Sequence, residues 1–197
     1  MKCLIVTTHP LSNSLCKLLA DGVVSKLTEM GNEVVLEDLY ADGFDPVLTK
    51  AERESYYKDQ YDTSEISKYT KRLEEAEGLV PLFPTWWFSF PAMLKGWFDR
   101  VWGPGIAYDH ASDLGKIKPC LDELRQVLVV TTLGAPWWVD RLIMRQPVKK
   151  IVKFALLGAC AKKSRLTYLS LYNSEKLSMK NIEQFKGRIN RALDGWS

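Results

Sequence analysis

Histidine is nearly missing from this chain: His9 and His110 are the only two in 197 residues. The four cysteines, Cys3, Cys16, Cys120 and Cys160, are scattered and form no CxxC pair, so no metal centre is expected. They read as buried or half-buried small hydrophobes in a reducing compartment. A large charge of one sign is also lacking. Lys and Arg number 27 against 24 Asp and Glu, a net charge of +3, which gives no electrostatic footprint for nucleic acid. With 26% charged and 46% hydrophobic residues the chain is not of disordered type and can bury a good core. The longest apolar stretch, near 154–161, is far too short to span a bilayer, and the start of the chain shows no charged-then-apolar leader. A globular, cytoplasmic protein that is not membrane-embedded, folded as one domain over 1–197, is the expectation.

What the chain does have is an aromatic segment from Phe83 to Arg100, FPTWWFSFPAMLKGWFDR, directly after a buried apolar run at 78–83. From Pro91 onward Met93, Leu94, Trp97, Phe98, Val101 and Trp102 keep a helical spacing, with Pro at the first helical position. Between strand and helix, Pro84, Thr85, Trp86, Trp87, Phe88, Ser89 and Phe90 are too apolar for a solvated loop and too short for a helix. An aromatic loop at the carboxyl end of a strand is a wall for a flat ligand.

Four further apolar runs read as strands: 3–7 (CLIVT), 33–39, 126–132 and 166–172. Between the first two lies a helix beginning near Asn13, capped by Ser12 or Asn13 and closed by Gly31. The loop before it, His9-Pro-Leu-Ser-Asn-Ser14-Leu15, lacks the glycines of a dinucleotide fingerprint or a P-loop. It reads either as a helix cap beside a surface histidine or as an anion site, because both use hydroxyl and amide donors at a helix amino terminus. Residues 40–77 form a long, charged, tyrosine-rich insertion with helices expected at 50–58 and 64–76. Pro81 lies within the third strand, where it cannot donate to a ladder. A helix over 148–157 and an amphipathic one carrying Ile182, Phe185, Ile189 and Leu193 complete the pattern. Lys149, Lys150, Lys153, Lys162, Lys163 and Arg165 read as a solvated face.

Strands alternating with helices give an α/β fold, a doubly wound five-stranded parallel sheet of flavodoxin-like order 2-1-3-4-5. The loops after strands one, three and four all fall at carboxyl strand ends, where such sheets bind ligands.

The segment from Phe83 to Arg100 resembles the signature of the NAD(P)H:quinone oxidoreductases, the DT-diaphorase-like flavoproteins: Phe-Pro-x-x-Trp-Phe followed by Pro-Ala-x-Leu-Lys-Gly-Trp-Phe-Asp/Glu-Arg-Val. The resemblance implies a flavin, FMN or FAD, with the compact length leaning towards FMN, and NAD(P)H as co-substrate. It implies flavin contacts from Pro84, Thr85, Trp86, Trp87 and Phe88, and phosphate binding by His9, Asn13, Ser14 and Leu15. Thr131, Thr132, Leu133 and Gly134 stand where the family reads Thr-Thr-Gly-Gly and approaches the flavin through backbone amides. Tyr108 and His110 match a loop that lines the substrate side, often from the partner subunit, with His110 replacing a tyrosine. Dimer contacts from 40–77, against a merely solvated face, are likewise implied.

The chain departs from the pattern at Leu133 and again in Ala135-Pro-Trp-Trp-Val-Asp-Arg141, where the downstream Tyr/His pair of the best-known members is absent. Trp137 and Trp138 either cover the flavin or pack as a lid without chemistry. Arg141 is either a charge partner for flavin or nicotinamide phosphate or one half of a surface ion pair. No general acid stands out, so no catalytic residue is assigned. The reading is a homodimeric flavin-dependent oxidoreductase passing hydride from NAD(P)H to quinones or related electrophilic acceptors by a ping-pong scheme. Two alternatives stand beside it, a regulatory flavoprotein of a membrane transport system and a flavodoxin-type electron carrier.

Overall fold

A computed structural model describes residues 1–110 and 116–196. Strand β1 (Lys2–Thr7) leads into helix α1 (Leu15–Glu29) and strand β2 (Glu33–Asp38). Helices α2 (Lys50–Ser55) and α3 (Ser67–Glu74) follow, both shorter than their sequence suggested, and then β3 (Gly78–Pro84) and α4 (Ala92–Val101). Two short strands missed by the sequence reading, β4 (Tyr108–Asp109) and β5 (Lys118–Pro119), pair antiparallel before β6 (Gln126–Thr132). A π-helical turn (Val139–Ile143) precedes α5 (Pro147–Lys150), which continues through a second π-helical stretch (Ile151–Leu157) into α6 (Gly158–Cys160). Strand β7 (Arg165–Leu171), a 3-10 turn (Ser174–Lys176) and α7 (Met179–Leu193) close the fold.

The sheet has the order β2-β1-β3-β6-β7, every pair parallel, which is the expected 2-1-3-4-5. Side chains alternate between its faces. On one face Leu4, Val6, Leu79, Phe83, Val127 and Val129 pack in a cluster with α3 and α4 residues such as Leu73, Leu94 and Trp97. On the other, Cys3, Ile5, Val80, Leu82, Leu128 and Val130 pack with Leu19, Val23, Phe185 and Ile189 of α1 and α7. Pro81 sits in the central strand opposite Val6 of β1, while the pairing of β3 with β6 skips residues 80 and 81. The ring has no N–H to give, so the gap falls at the imino acid and leaves the register intact on either side.

The insertion is fastened to α4. Arg100, 2% exposed, donates from Nε to Glu52 at 2.9 Å, from Nη2 to Glu65 at 2.9 Å and from Nη1 to the Asp45 carbonyl at 2.6 Å. Glu52 also completes a capping box with Thr49 at the start of α2. A β-carbon on Gly96 would lie 2.1 Å from the Pro46 carbonyl oxygen, so the close approach of 45–46 to α4 requires glycine there.

A second buried charge, Glu37 on β2, accepts from Trp97 Nε1 at 3.1 Å and lies 3.3 Å from Arg72 Nη1. Burial raises its pKa from 4.5 to about 7, with Arg72 and Trp97 opposing. A carboxyl raised on folding contributes stability that is full below its unfolded pKa and is lost as pH rises through the folded one. Between pH 4.5 and 7 the urea midpoint of the wild type is therefore expected to fall more steeply than that of Glu37→Gln, which keeps an oxygen for Trp97 but does not titrate. Parallel pH profiles for the two proteins would exclude Glu37 as the source.

Candidate functional site

The segments after β1, β3 and β6 meet at the carboxyl end of the sheet. The His9 and Trp86 rings lie 6.4 Å apart, joining the first segment to the second. The Thr85 amide donates to the Thr132 carbonyl at 2.8 Å, and the Thr85 and Thr131 hydroxyls are bonded, joining the second to the third. Cys16 Sγ lies 3.8 Å from Thr132 Oγ1, joining the third back to the first. Burial pushes the Cys16 thiol up to about 11, so it stays protonated and serves as a packing contact.

The first segment ends in a helix amino terminus with open donors. The cap is Ser14, one or two residues later than its sequence suggested, with Oγ accepting from the Lys17 amide at 3.2 Å. The Leu11–Ser14 backbone bond makes a turn before the helix and moves Ser12 and Asn13 into it. The amides of Leu15 and Cys16, in the first turn of α1, have no acceptor among the described residues. His9 Nδ1 accepts from the Leu11 amide at 3.1 Å, which places the proton of the neutral ring on Nε2 and leaves that N–H as a donor. Thr8, fully buried, leaves Oγ1 without a partner at the same strand end.

The second segment is a tight turn. Trp86 and Ser89 form an antiparallel bridge, with the Ser89 amide donating to the Trp86 carbonyl at 2.9 Å. Trp87 and Phe88 between them have φ of 50° and 56°. Two successive positive φ values describe a turn ordinarily built from Asn and Gly. Here two aromatic residues take them, each at a cost of about 1–3 kcal/mol. The Trp87 side chain is 97% exposed, so no packing within the chain offsets that cost.

In the third segment Leu133 keeps an ordinary negative φ and is buried, so the missing glycine causes no strain. Its amide, however, donates to the Leu171 carbonyl at 2.9 Å and extends the sheet by one bond. The expectation of open amides over residues 132–134 is corrected accordingly: Leu133 is spent on β7, while the Gly134 amide has no acceptor among the described residues. Gly134 lies against the segment after β7, where a β-carbon would come within 3.1 Å of Glu175 Oε1.

Trp137 and Trp138 follow this loop, both exposed. Two residues on, Asp140 is 4% exposed and accepts from the Tyr172 hydroxyl at 2.9 Å, tying this stretch to the end of β7. Arg141 lies over the Tyr172 ring at 5.9 Å and makes no ion pair among the described residues. The sequence reading missed Thr8, Asp140 and Tyr172. Thr8 and Tyr172 each directly follow a strand, a position that could have marked them.

Tyr108 and His110 are not brought to this end. Helix α4 carries the chain about 15 Å back along the sheet. Beyond it, Cys120 bonds to Ala107, and Arg125 to Glu77, near where β3 and β6 begin. His110 stacks instead on Tyr57 of the insertion at 5.1 Å, beside a cavity of about 710 Å³ lined by Tyr56, Tyr61 and Glu74.

The family model described as flavodoxin-like fold matches residues 1–196, and the chain belongs to that family. Among curated relatives it is 39% identical over 111 residues to YcaK of Escherichia coli, named an uncharacterized NAD(P)H oxidoreductase, covering 56% of this chain and 57% of the relative. It is 33% identical over 152 residues to the NAD(P)H dehydrogenase [quinone] 1 of Cavia porcellus, covering 68% of this chain and 54% of the relative. The chain thus spans little more than half the length of these relatives. The crystal structure of Smu.1420 from Streptococcus mutans superposes with a TM-score of 0.83 at 30% identity, over 97% of both chains.

Because Trp87 packs against nothing in the chain, Trp87→Gly is expected to stabilise the cofactor-free protein by about 1 kcal/mol, the lower end of what a positive φ costs a bulky residue. Chemical denaturation of the two proteins checks this. A loss of stability would mean that the indole holds the turn.

Proposed function

We propose that this chain is a cytoplasmic, flavin-dependent NAD(P)H oxidoreductase that delivers two electrons to quinones or similar electrophilic aromatic acceptors. The observation that carries the proposal is the meeting of three loops at one end of the sheet: an open helix amino terminus, an exposed aromatic turn and a free amide at Gly134. The residues fit a flavin at both of its ends. The orphaned Thr8 hydroxyl, the Leu15 and Cys16 amides and His9 Nε2–H suit a phosphate, with the α1 dipole adding to their attraction. Trp86, Trp87 and Phe88 give a flat ring an apolar wall, and the unpaired face of Trp87 gains cover only when something stacks on it.

A bound flavin would supply the two-electron chemistry. The chain's part is to anchor, orient and bias. Gly134 N–H presents a donor where negative charge would develop on reduction, the preorganised arrangement that favours hydride acceptance. With Leu133 committed to β7, this chain supplies one fewer amide than the Thr-Thr-Gly-Gly pattern. Arg141, free of ion pairs among the described residues and seated on Tyr172, is a cation at the edge of the site for anionic groups of donor or acceptor. Pairing as a homodimer, through the insertion and the edge carrying Tyr108 and His110, would bring those two residues to a partner's acceptor pocket. Donor and acceptor sharing one pocket in turn implies ping-pong kinetics.

The purified protein is expected to show flavin absorption that bleaches on anaerobic addition of NADPH, with the released cofactor identified by chromatography. Failure to take up either FMN or FAD on reconstitution would overturn the proposal. Trp87→Ala, with its stacking wall removed, is expected to raise the flavin dissociation constant on the order of tenfold, as loss of one aromatic contact does. Unchanged retention would remove Trp87 from the site.

A further inference from the structure

A fourth segment, the turn after β7, is pinned to the loop after β6. The Leu133 amide donates to the Leu171 carbonyl at 2.9 Å, the Ser174 amide to the Leu133 carbonyl at 2.9 Å and the Asn173 amide to the Ala135 carbonyl at 3.3 Å. These bonds flank Gly134 on both sides. Asn173, at φ 53°, swings the chain into the 3-10 turn Ser174–Lys176, whose middle residue is Glu175.

The turn thereby sets the Glu175 carboxylate beside Gly134. A β-carbon on Gly134 would meet Glu175 Oε1 at 3.1 Å and Cδ at 3.6 Å. Such a carbon stands about 2.5 Å from its own nitrogen, so Oε1 lies within about 6 Å of the Gly134 amide. That amide has no acceptor among the described residues. Glu175 is exposed and, among the same residues, its carboxylate makes no ion pair and accepts no hydrogen bond. Neither Arg141, over the Tyr172 ring, nor Lys176, next in the chain, pairs with it there. The turn is maintained by its backbone bonds, so the charge on Glu175 is not what holds it.

We propose that Glu175 holds down the reduction potential of the flavin bound at this crevice, an inference that rests on the flavin reading of the site. Hydride transfer moves two electrons and one proton from the nicotinamide to the flavin, so the ring takes on one negative charge. The Gly134 N–H favours that charge, and a carboxylate a few ångströms away opposes it. Leu133 acts in the same direction, because its amide is spent on β7 and withholds a second donor. Both make the reduced flavin a stronger donor to an acceptor and the oxidised flavin a weaker taker of hydride. Water screens an exposed carboxylate, so the effect is on the order of tenfold in the reduction equilibrium, about 30 mV for two electrons.

The test is the midpoint potential of the full-length protein, reconstituted with whichever of FMN and FAD it binds and equilibrated anaerobically with a reference dye. At roughly 0.05 M salt, Glu175→Gln is expected to raise the potential by about 30 mV and Glu175→Lys, two charge steps away, by about 60 mV. Both differences are expected to shrink at roughly 0.5 M salt, as those of a solvent-exposed charge do. A change in the packing of the turn would follow neither charge nor salt. Equal potentials in the wild type and Glu175→Gln overturn the proposal and leave the flavin reading standing. So do shifts of opposite sign in the two variants, or shifts indifferent to salt. A wild type that takes up neither flavin overturns both.

Discussion

Parallel pairing of β1 with both β2 and β3 is the constraint on which the site depends. A parallel connection must cross over the sheet, and it does so in a right-handed sense. Because the order runs β2-β1-β3-β6-β7, the crossover after β1 goes one way and the later ones go the other, onto opposite faces. The loops that start those crossovers splay apart above β1 and β3 and leave a crevice at the carboxyl strand ends. Everything proposed for the site borrows from that geometry. The helix amino terminus points its amides there, and the aromatic turn closes one wall.

Strain and open valence mark the crevice. Away from it the two large buried charges are fully partnered, even at cost: Arg100 is buried with two carboxylates and a carbonyl, and Glu37 finds Trp97 and Arg72. Breaking such a buried pair by removing one partner costs about 3–5 kcal/mol, so the insertion is held firmly to α4. At the crevice the chain instead leaves Thr8 Oγ1 and the first amides of α1 without partners and holds two aromatic residues at positive φ. Open donors and a strained aromatic turn gathered at one end of the sheet suit a ligand that comes from outside.

Much of this was legible in the residues. Continuous apolar runs announced strands buried on both faces, and the helical spacing from Pro91 announced α4, because burial imposes a period that composition alone reveals. The loops also followed, since their positions after strands do not require coordinates. What escaped was whatever depends on pairing across the chain. The commitment of the Leu133 amide to Leu171 follows from the extension of β6 along β7 and not from Leu133 itself. Asp140 looked like one charge among many until Tyr172, 32 residues away, supplied its partner.

By itself, the sequence determined the fold class, the strand order and the three segments from which a site can be built, because local periodicity and turn chemistry act over a few residues. Tertiary structure alone decided which donors remain free, that Trp87 stands uncovered at positive φ, and that Tyr108 and His110 lie at the opposite end of α4 from the crevice. Hydrogen-bond partners and burial belong to pairs of residues far apart in the chain, and no single stretch carries that information.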